Sequence, residues 1–119
     1  EEYLEVSKKV LDLVDKTRDN QKKVFAVGTT TTRALETAYL ENLKNGYSGY
    51  TKLFIYPGYK FKVVDRLITN FHMPQSSLLM LVSAFIGFDN MKQIYKTAIE
   101  ERYRFLSYGD VMLLNKNEI

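Results

Sequence analysis

Val24-Phe25-Ala26-Val27-Gly28-Thr29-Thr30-Thr31-Thr32-Arg33-Ala34-Leu35 changes character at a single glycine. The four residues before Gly28 form a short apolar run of the kind a buried strand shows. After it, Ala34, Leu35, Ala38, Tyr39 and Leu43 recur at helical spacing, and Asn45-Gly46 supplies a stop. A strand feeding a helix through a tight turn is the working unit of α/β folds. Upstream, Val6, Val10, Leu13, Val14 and Thr17 share one helical face and Ser7 suits an N-cap, which predicts a helix over residues 7–19.

Downstream, residues 45–51 read as a loop, because Gly46, Ser48 and Gly49 give them turn chemistry. Strands are expected at 53–56, stopped by Pro57-Gly58, and then at 60–64 and 67–71 around Asp65-Arg66. Pro74 suits the first turn of a helix capped by Ser76 or Ser77. Residues 78–86 are apolar on most faces, with Gly87 as terminator. Met91, Ile94, Tyr95, Ala98, Ile99 and Arg102 carry a last helix to about Phe105, and Val111-Met112-Leu113-Leu114 forms a last strand. The order predicts an α/β domain, a three-layer αβα sandwich with helices on both faces of one mixed sheet. No interior boundary interrupts residues 1–119, which read as a single domain.

A chain of 119 residues can bury a real core, and its 45% hydrophobic and 13% aromatic content fits a globular protein and argues against disorder. The absence of cysteine excludes disulfides, thiolate nucleophiles and cysteine-ligated metals. A single histidine, His72, excludes any site needing two imidazoles. The apolar stretch 78–86 is too short to span a bilayer, and the opening Glu1-Glu2-Tyr3 is unlike a signal peptide. A cytoplasmic protein with no membrane partner is therefore expected. The chain starts without methionine and reads as a fragment or a processed piece.

The net charge is +3, from 17 basic and 14 acidic residues, and the excess is local. Lys44, Lys52, Lys60, Lys62 and Arg66 stand against Asp65 alone, among Tyr47, Tyr50, Phe54, Tyr56, Tyr59 and Phe61. Cations with interleaved aromatics suit an unpaired nucleic-acid strand; a solvated strand face beside core aromatics is the plain alternative.

Three stretches carry chemistry-bearing side chains. The turn at residues 27–33 offers helix N-terminal amides, threonine hydroxyls and Arg33 to an anion. It matches neither the phosphate-loop nor the dinucleotide glycine pattern, so nucleotide readings are weak. Thr69-Asn70-Phe71-His72-Met73-Pro74-Gln75-Ser76-Ser77 gathers an amide, an imidazole and hydroxyls in one strand-to-helix loop. Glu100-Glu101-Arg102-Tyr103-Arg104 leads to Ser107-Tyr108-Gly109-Asp110 at a helix end. A hydrolase using His72 and Asp110 would need a serine elbow, and no Gly-x-Ser-x-Gly exists.

Taken in order, several of these stretches resemble one family. They are Val27-Gly28-Thr29-Thr30 with Arg33, Leu35 and Glu36, then Phe54-Ile55-Tyr56-Pro57-Gly58-Tyr59 with Phe61-Lys62-Val63-Val64-Asp65. Leu67-Ile68-Thr69-Asn70-Phe71-His72 with Pro74, Ser76-Ser77-Leu78-Leu79-Met80-Leu81, and Glu101-Arg102-Tyr103-Arg104-Phe105 with Ser107-Tyr108-Gly109-Asp110 complete the set. The pattern is similar to that of the S-adenosylmethionine:tRNA ribosyltransferase-isomerases of the queuosine pathway, over nearly the whole chain. Arg66, Met73, Gln75 and Phe88 depart from the family's usual residues, none in the polar centre of a motif. The likeness covers about the last third of the family's proteins. The remainder would supply the rest of the α/β domain and an inserted β-barrel.

The resemblance implies transfer of the ribosyl group of S-adenosylmethionine to 7-aminomethyl-7-deazaguanine at the tRNA wobble position. Isomerisation then gives epoxyqueuosine, with release of adenine and methionine. The partners implied are tRNAs with a GUN anticodon (Tyr, His, Asp and Asn), and the full-length protein is expected to act as a monomer. S-adenosylmethionine is consumed, and neither a further cofactor nor a metal is implied. A base must take a proton beside the sulfonium: His72, Asp110 and Glu101 are the catalytic candidates. Gly28, Thr29, Thr30 and Arg33 suit the methionine carboxylate, Tyr56 and Tyr108 offer aromatic faces to the sulfonium, and Asn70 and Ser77 complete the substrate set. Lys52, Lys60, Lys62, Arg66, Arg102 and Arg104 are the expected RNA-binding cations. A non-catalytic RNA-binding α/β module is the alternative; it would ignore S-adenosylmethionine and adenine.

Overall fold

The computed structural model describes residues 2–117. Their order is β1 (Glu2–Ser7), α1 (Lys8–Asp19), β2 (Phe25–Val27), α2 (Thr29–Leu40), β3 (Gly46–Thr51), β4 (Arg66–Asn70), α3 (Ser77–Ile86), α4 (Phe88–Glu100) and β5 (Val111–Asn115). The result is a mixed α/β fold with four helices and two small sheets among the described residues.

The first sheet is absent from the sequence-based expectation. β1 and β3 pair antiparallel, with Leu4 opposite Gly49 and Val6 opposite Tyr47. Glu2 to Ser7 alternate, burying Leu4 and Val6 and exposing Tyr3 and Glu5, so Val6 belongs to a strand and not to the helical face. Residues 45–51, expected as a loop, are the partner strand. Gly46 serves close pairing: with its φ of +103°, a Cβ there would stand 2.9 Å from the Val6 carbonyl oxygen. Ser7 caps α1, its hydroxyl accepting the Val10 amide at 3.2 Å, but the buried residues of α1 are Leu11 and Val14, while Val10 and Leu13 are exposed.

The second sheet runs β2-β4-β5, with β2 parallel to β4 and β5 antiparallel. Ala26, Leu67, Thr69, Met112 and Leu114 share its inner face and are buried under α2 and α3. α2 also packs on β1 and β3, so it lies between the two sheets and is buried at Thr32 and from Ala34 through Ala38. Phe25, Val27, Val111 and Leu113 share the outer face and are more than half exposed. The three-layer sandwich around one sheet is thus not what the described residues form: the sheet is mixed as expected, but its helices cover one face. Apolar strand residues alone do not reveal what lies over them.

Two expected strands, 53–56 and 60–64, are irregular. For 60–64 the cause is Glu36, fully buried on α2. Its carboxylate accepts the amides of Lys62 at 2.7 Å, Val63 at 2.9 Å and Val64 at 3.0 Å, and the Tyr59 hydroxyl at 2.8 Å. Amides spent on a carboxylate cannot pair with a strand. The turn at Pro57-Gly58 closes with the Tyr59 amide on the Tyr56 carbonyl at 3.0 Å. Phe61 packs edge-on against buried Phe85, centroids 4.9 Å apart, while Lys60 and Lys62 stay exposed.

The remaining elements follow their punctuation. Ser76 caps α3, accepting the Leu79 amide at 3.2 Å, and Pro74 lies in the turn before it. α4 stops at Glu100, short of Phe105: Arg102 turns left-handed (φ +60°) and the Tyr103 amide returns to the Ala98 carbonyl at 2.9 Å.

Candidate functional site

In open α/β sheets, ligands settle in the crevice beyond the carboxyl ends of parallel strands. Here β2 ends at Val27 and β4 at Asn70, α2 begins one residue beyond β2 and α3 after a short loop, and antiparallel β5 starts after Asp110. One end of this sheet therefore collects Gly28, Thr29, Thr30, Asn70, His72 and Asp110, with Ser77 opening α3.

Gly28 makes the first turn possible. Its φ of +94° with ψ 153° lies in a region reserved for glycine, although space around it is open. Its amide donates to the Ile68 carbonyl at 2.8 Å; its own carbonyl accepts the Thr32 amide and hydroxyl at 3.2 and 3.0 Å. Thr32 is thus structural, and Thr31 lines a separate groove against β1, leaving Thr29 and Thr30 at the mouth. Arg33 donates to Glu2 Oε1 at 2.5 Å and to the Leu53 carbonyl at 2.9 Å, and Thr30 Oγ1 donates to Glu2 Oε2 at 3.1 Å. Glu2, Arg33, Phe54, Ser77 and Leu78 line a cleft of about 280 Å³. Tyr56, exposed, lies with its ring centroid 5.7 Å from that of Phe54. Arg33, Ser77 and the neighbourhood of Tyr56 are brought together, with a carboxylate the sequence reading did not include.

The second cluster is built on Phe71, whose ring lies 5.4–5.5 Å from those of Tyr95, Tyr103 and Phe105. This aromatic anchor ties β4 to the loop that ends α4. The Leu106 amide donates to the Phe71 carbonyl at 2.9 Å, and Asn70 Nδ2 donates to the Asp110 carbonyl at 3.2 Å. Asp110 Oδ2 accepts the Arg104 amide at 2.6 Å, so one carboxylate oxygen already shapes the loop. His72 is half-buried. Its Nε2 lies 3.0 Å from Thr69 Oγ1 and its amide donates to the Tyr95 hydroxyl at 2.9 Å. Burial lowers its pKa from the ordinary 6.5, so the ring is neutral at pH 7. Tyr108 is wholly exposed, and Glu101 is an exposed C-cap with no hydrogen bond to His72 or Asp110 among the described residues.

The cations divide between two ends of the molecule. Lys52 precedes the Leu53 carbonyl that holds Arg33, and Arg102 and Arg104 flank the Asp110 loop. Lys60 and Arg66 lie toward the opposite end, where each lines a cleft with Lys116; Lys62 follows Lys60 on the segment held by Glu36. Glu2 and Tyr95 are polar residues that the sequence reading did not place at the site, and Glu36 is the buried acid it did not place against residues 59–64. A lone acid between Leu35 and Thr37 on a buried helix was the one available signal, for Glu36.

The model of the queuosine biosynthesis protein family matches residues 1–114. The S-adenosylmethionine:tRNA ribosyltransferase-isomerase of Vesicomyosocius okutanii is 55% identical over 98% of this chain and 34% of its own length. That of Halothermothrix orenii is 57% identical over 95% of this chain and 33% of its own. A crystal structure of the S-adenosylmethionine tRNA ribosyltransferase of Thermotoga maritima superimposes with a TM-score of 0.90 at 49% identity, over 95% of this chain and 40% of that one. The chain thus spans about a third of the length of the curated relatives it matches. By a match over almost its entire length, the chain belongs to the queuosine biosynthesis protein family.

Proposed function

We propose that this chain is the C-terminal part of an enzyme that moves the ribosyl group of S-adenosylmethionine onto 7-aminomethyl-7-deazaguanine in tRNA. The enzyme isomerises the sugar to give epoxyqueuosine and releases adenine and methionine. The observation that carries the reading is the shared fold with the Thermotoga maritima ribosyltransferase at high identity. In this reading the longer protein covers the outer face of the β2-β4-β5 sheet, completing a three-layer arrangement, and works in the cytoplasm as a monomer. No helix among the described residues is long and apolar enough to cross a membrane. The test is direct: the full-length protein, S-adenosylmethionine and a tRNA carrying the aminomethyl base should yield adenine, methionine and the epoxyqueuosine nucleoside. No adenine release would overturn it.

The two clusters divide the work. The turn at Gly28, Thr29 and Thr30 with Arg33 receives the methionine carboxylate, and Tyr56 or Tyr108 faces the sulfonium. Glu2 keeps the Arg33 guanidinium aimed until the substrate carboxylate competes for it. Asn70, His72, Ser77 and Asp110 surround the reacting sugar and the leaving base, with Glu101 at the rim. Arg33→Ala in the full-length enzyme is expected to raise the Michaelis constant for S-adenosylmethionine by roughly tenfold, the scale of one charged hydrogen bond. tRNA affinity should hardly move. Unchanged kinetics with both substrates would leave Arg33 a purely structural residue.

The RNA contact is proposed on both basic ends, Lys52, Arg102 and Arg104 near the crevice and Lys60, Lys62 and Arg66 further off. Each phosphate neutralised releases counterions, so binding weakens as salt rises. Lys60→Gln with Lys62→Gln should weaken tRNA binding and reduce its salt slope by roughly one to two. S-adenosylmethionine binding should be untouched. A double variant with the parental slope would move the RNA contact away from this segment.

A further inference from the structure

We infer that Thr69 locks His72 as the tautomer protonated on Nδ1, which makes the ring a neutral hydrogen-bond donor toward the crevice and not the base of the reaction. Thr69 is buried on the inner face of β4, and the one partner of its hydroxyl among the described residues is His72 Nε2, at 3.0 Å. Two arrangements satisfy that distance. If Nε2 carried the proton it would donate to Thr69, and the hydroxyl hydrogen would be left in a buried place with no acceptor. If the hydroxyl donates to a bare Nε2, every buried hydrogen is used and only spare lone pairs remain. An unmade buried donor is the costlier fault, by a factor of about ten or more in population. The second arrangement wins, and it puts the ring proton on Nδ1.

Nδ1 has no hydrogen-bond partner among the described residues. Yet no buried side-chain nitrogen or oxygen there is left without one, so Nδ1 is open to solvent. Thr69 on β4 fixes the ring at Nε2, and Tyr95 on α4 holds the residue's backbone amide. Thr69 is therefore a positioning residue. What the Nδ1–H meets rests on the functional reading above, where a neutral donor suits the departing adenine and the proton beside the sulfonium falls to a carboxylate. The tautomer itself does not rest on that reading.

Nitrogen-15 spectroscopy of the histidine ring decides it, because the chain has one histidine and gives one pair of ring signals. At neutral pH, Nδ1 should show the protonated, pyrrole-type resonance and Nε2 the bare, pyridine-type one, assigned through couplings to the ring carbon-bound protons. Thr69→Ser keeps the hydroxyl and should keep the pattern; Thr69→Val removes it and should return the ring toward the mixture of free imidazole. Protonation on Nε2 in the parent, or a pattern unchanged by Thr69→Val, would overturn the inference. Should the valine variant fail to fold, the parent and Thr69→Ser spectra still decide. The expected spectrum alongside a full-length protein that releases no adenine from S-adenosylmethionine would sink the functional reading and leave the tautomer standing.

Discussion

Replacing Glu36 by alanine should cost the fold roughly 3 kcal/mol or more, the largest stability loss expected of any polar substitution in this chain. The carboxylate holds the Lys62, Val63 and Val64 amides and the Tyr59 hydroxyl in a region with little access to water. Truncation leaves all of those donors without an acceptor, and burial multiplies the penalty of each. Folded domains have only about 5–15 kcal/mol to lose, so the urea midpoint, followed by circular dichroism, should fall sharply. Glu36→Gln should sit between the two, because its carbonyl still accepts while its NH₂ faces donors. A midpoint equal to the parent's for Glu36→Ala would show that residues 59–64 find other acceptors and that the carboxylate is dispensable.

The largest effect on turnover is expected at His72. In the full-length enzyme His72→Gln should lower kcat on the order of a hundredfold, the usual consequence of removing one oriented donor to developing charge. His72→Asn should do better, staying within about tenfold of the parent by the same scale, because the asparagine amide nitrogen falls near Nδ1 and the glutamine nitrogen near Nε2. Steady-state kinetics on both variants compares them. Glutamine outperforming asparagine would mean that the working nitrogen is Nε2. Equal, near-parental rates would remove His72 from the chemistry.

Where local signals were strong, the chain could be read directly. Ser7 and Ser76 cap the helices they were expected to cap, Gly87 ends α3, and the strand-turn-helix at Gly28 is present, although Phe25 and Val27 of its expected buried strand are exposed and α2 ends at Leu40, short of Leu43. What the sequence hid are pairings between distant residues. β1 needs β3, some forty positions away, and Gly46, which permits their close approach, looks locally like a turn residue. Residues 60–64 alternate like a strand, but one carboxylate on α2 claims their amides. The same holds for the site. Asn70, His72 and Asp110 could be picked out by type, but that Glu2 meets Arg33 and Thr69 meets His72 follows only from the folded arrangement.

The outer face of the three-stranded sheet changes how this chain behaves as a reagent. Phe25, Val27, Val111 and Leu113 form a surface that water wets poorly while every helix and strand is still in place. Environment-sensitive dyes brighten wherever they find such a surface, and in most proteins that happens only as the core opens. This chain should light them when native. A melting curve recorded that way would start high, blur its own transition and report the bare sheet instead of unfolding. For the Glu36 variants, then, the choice of backbone circular dichroism over dye fluorescence decides whether the comparison measures stability at all.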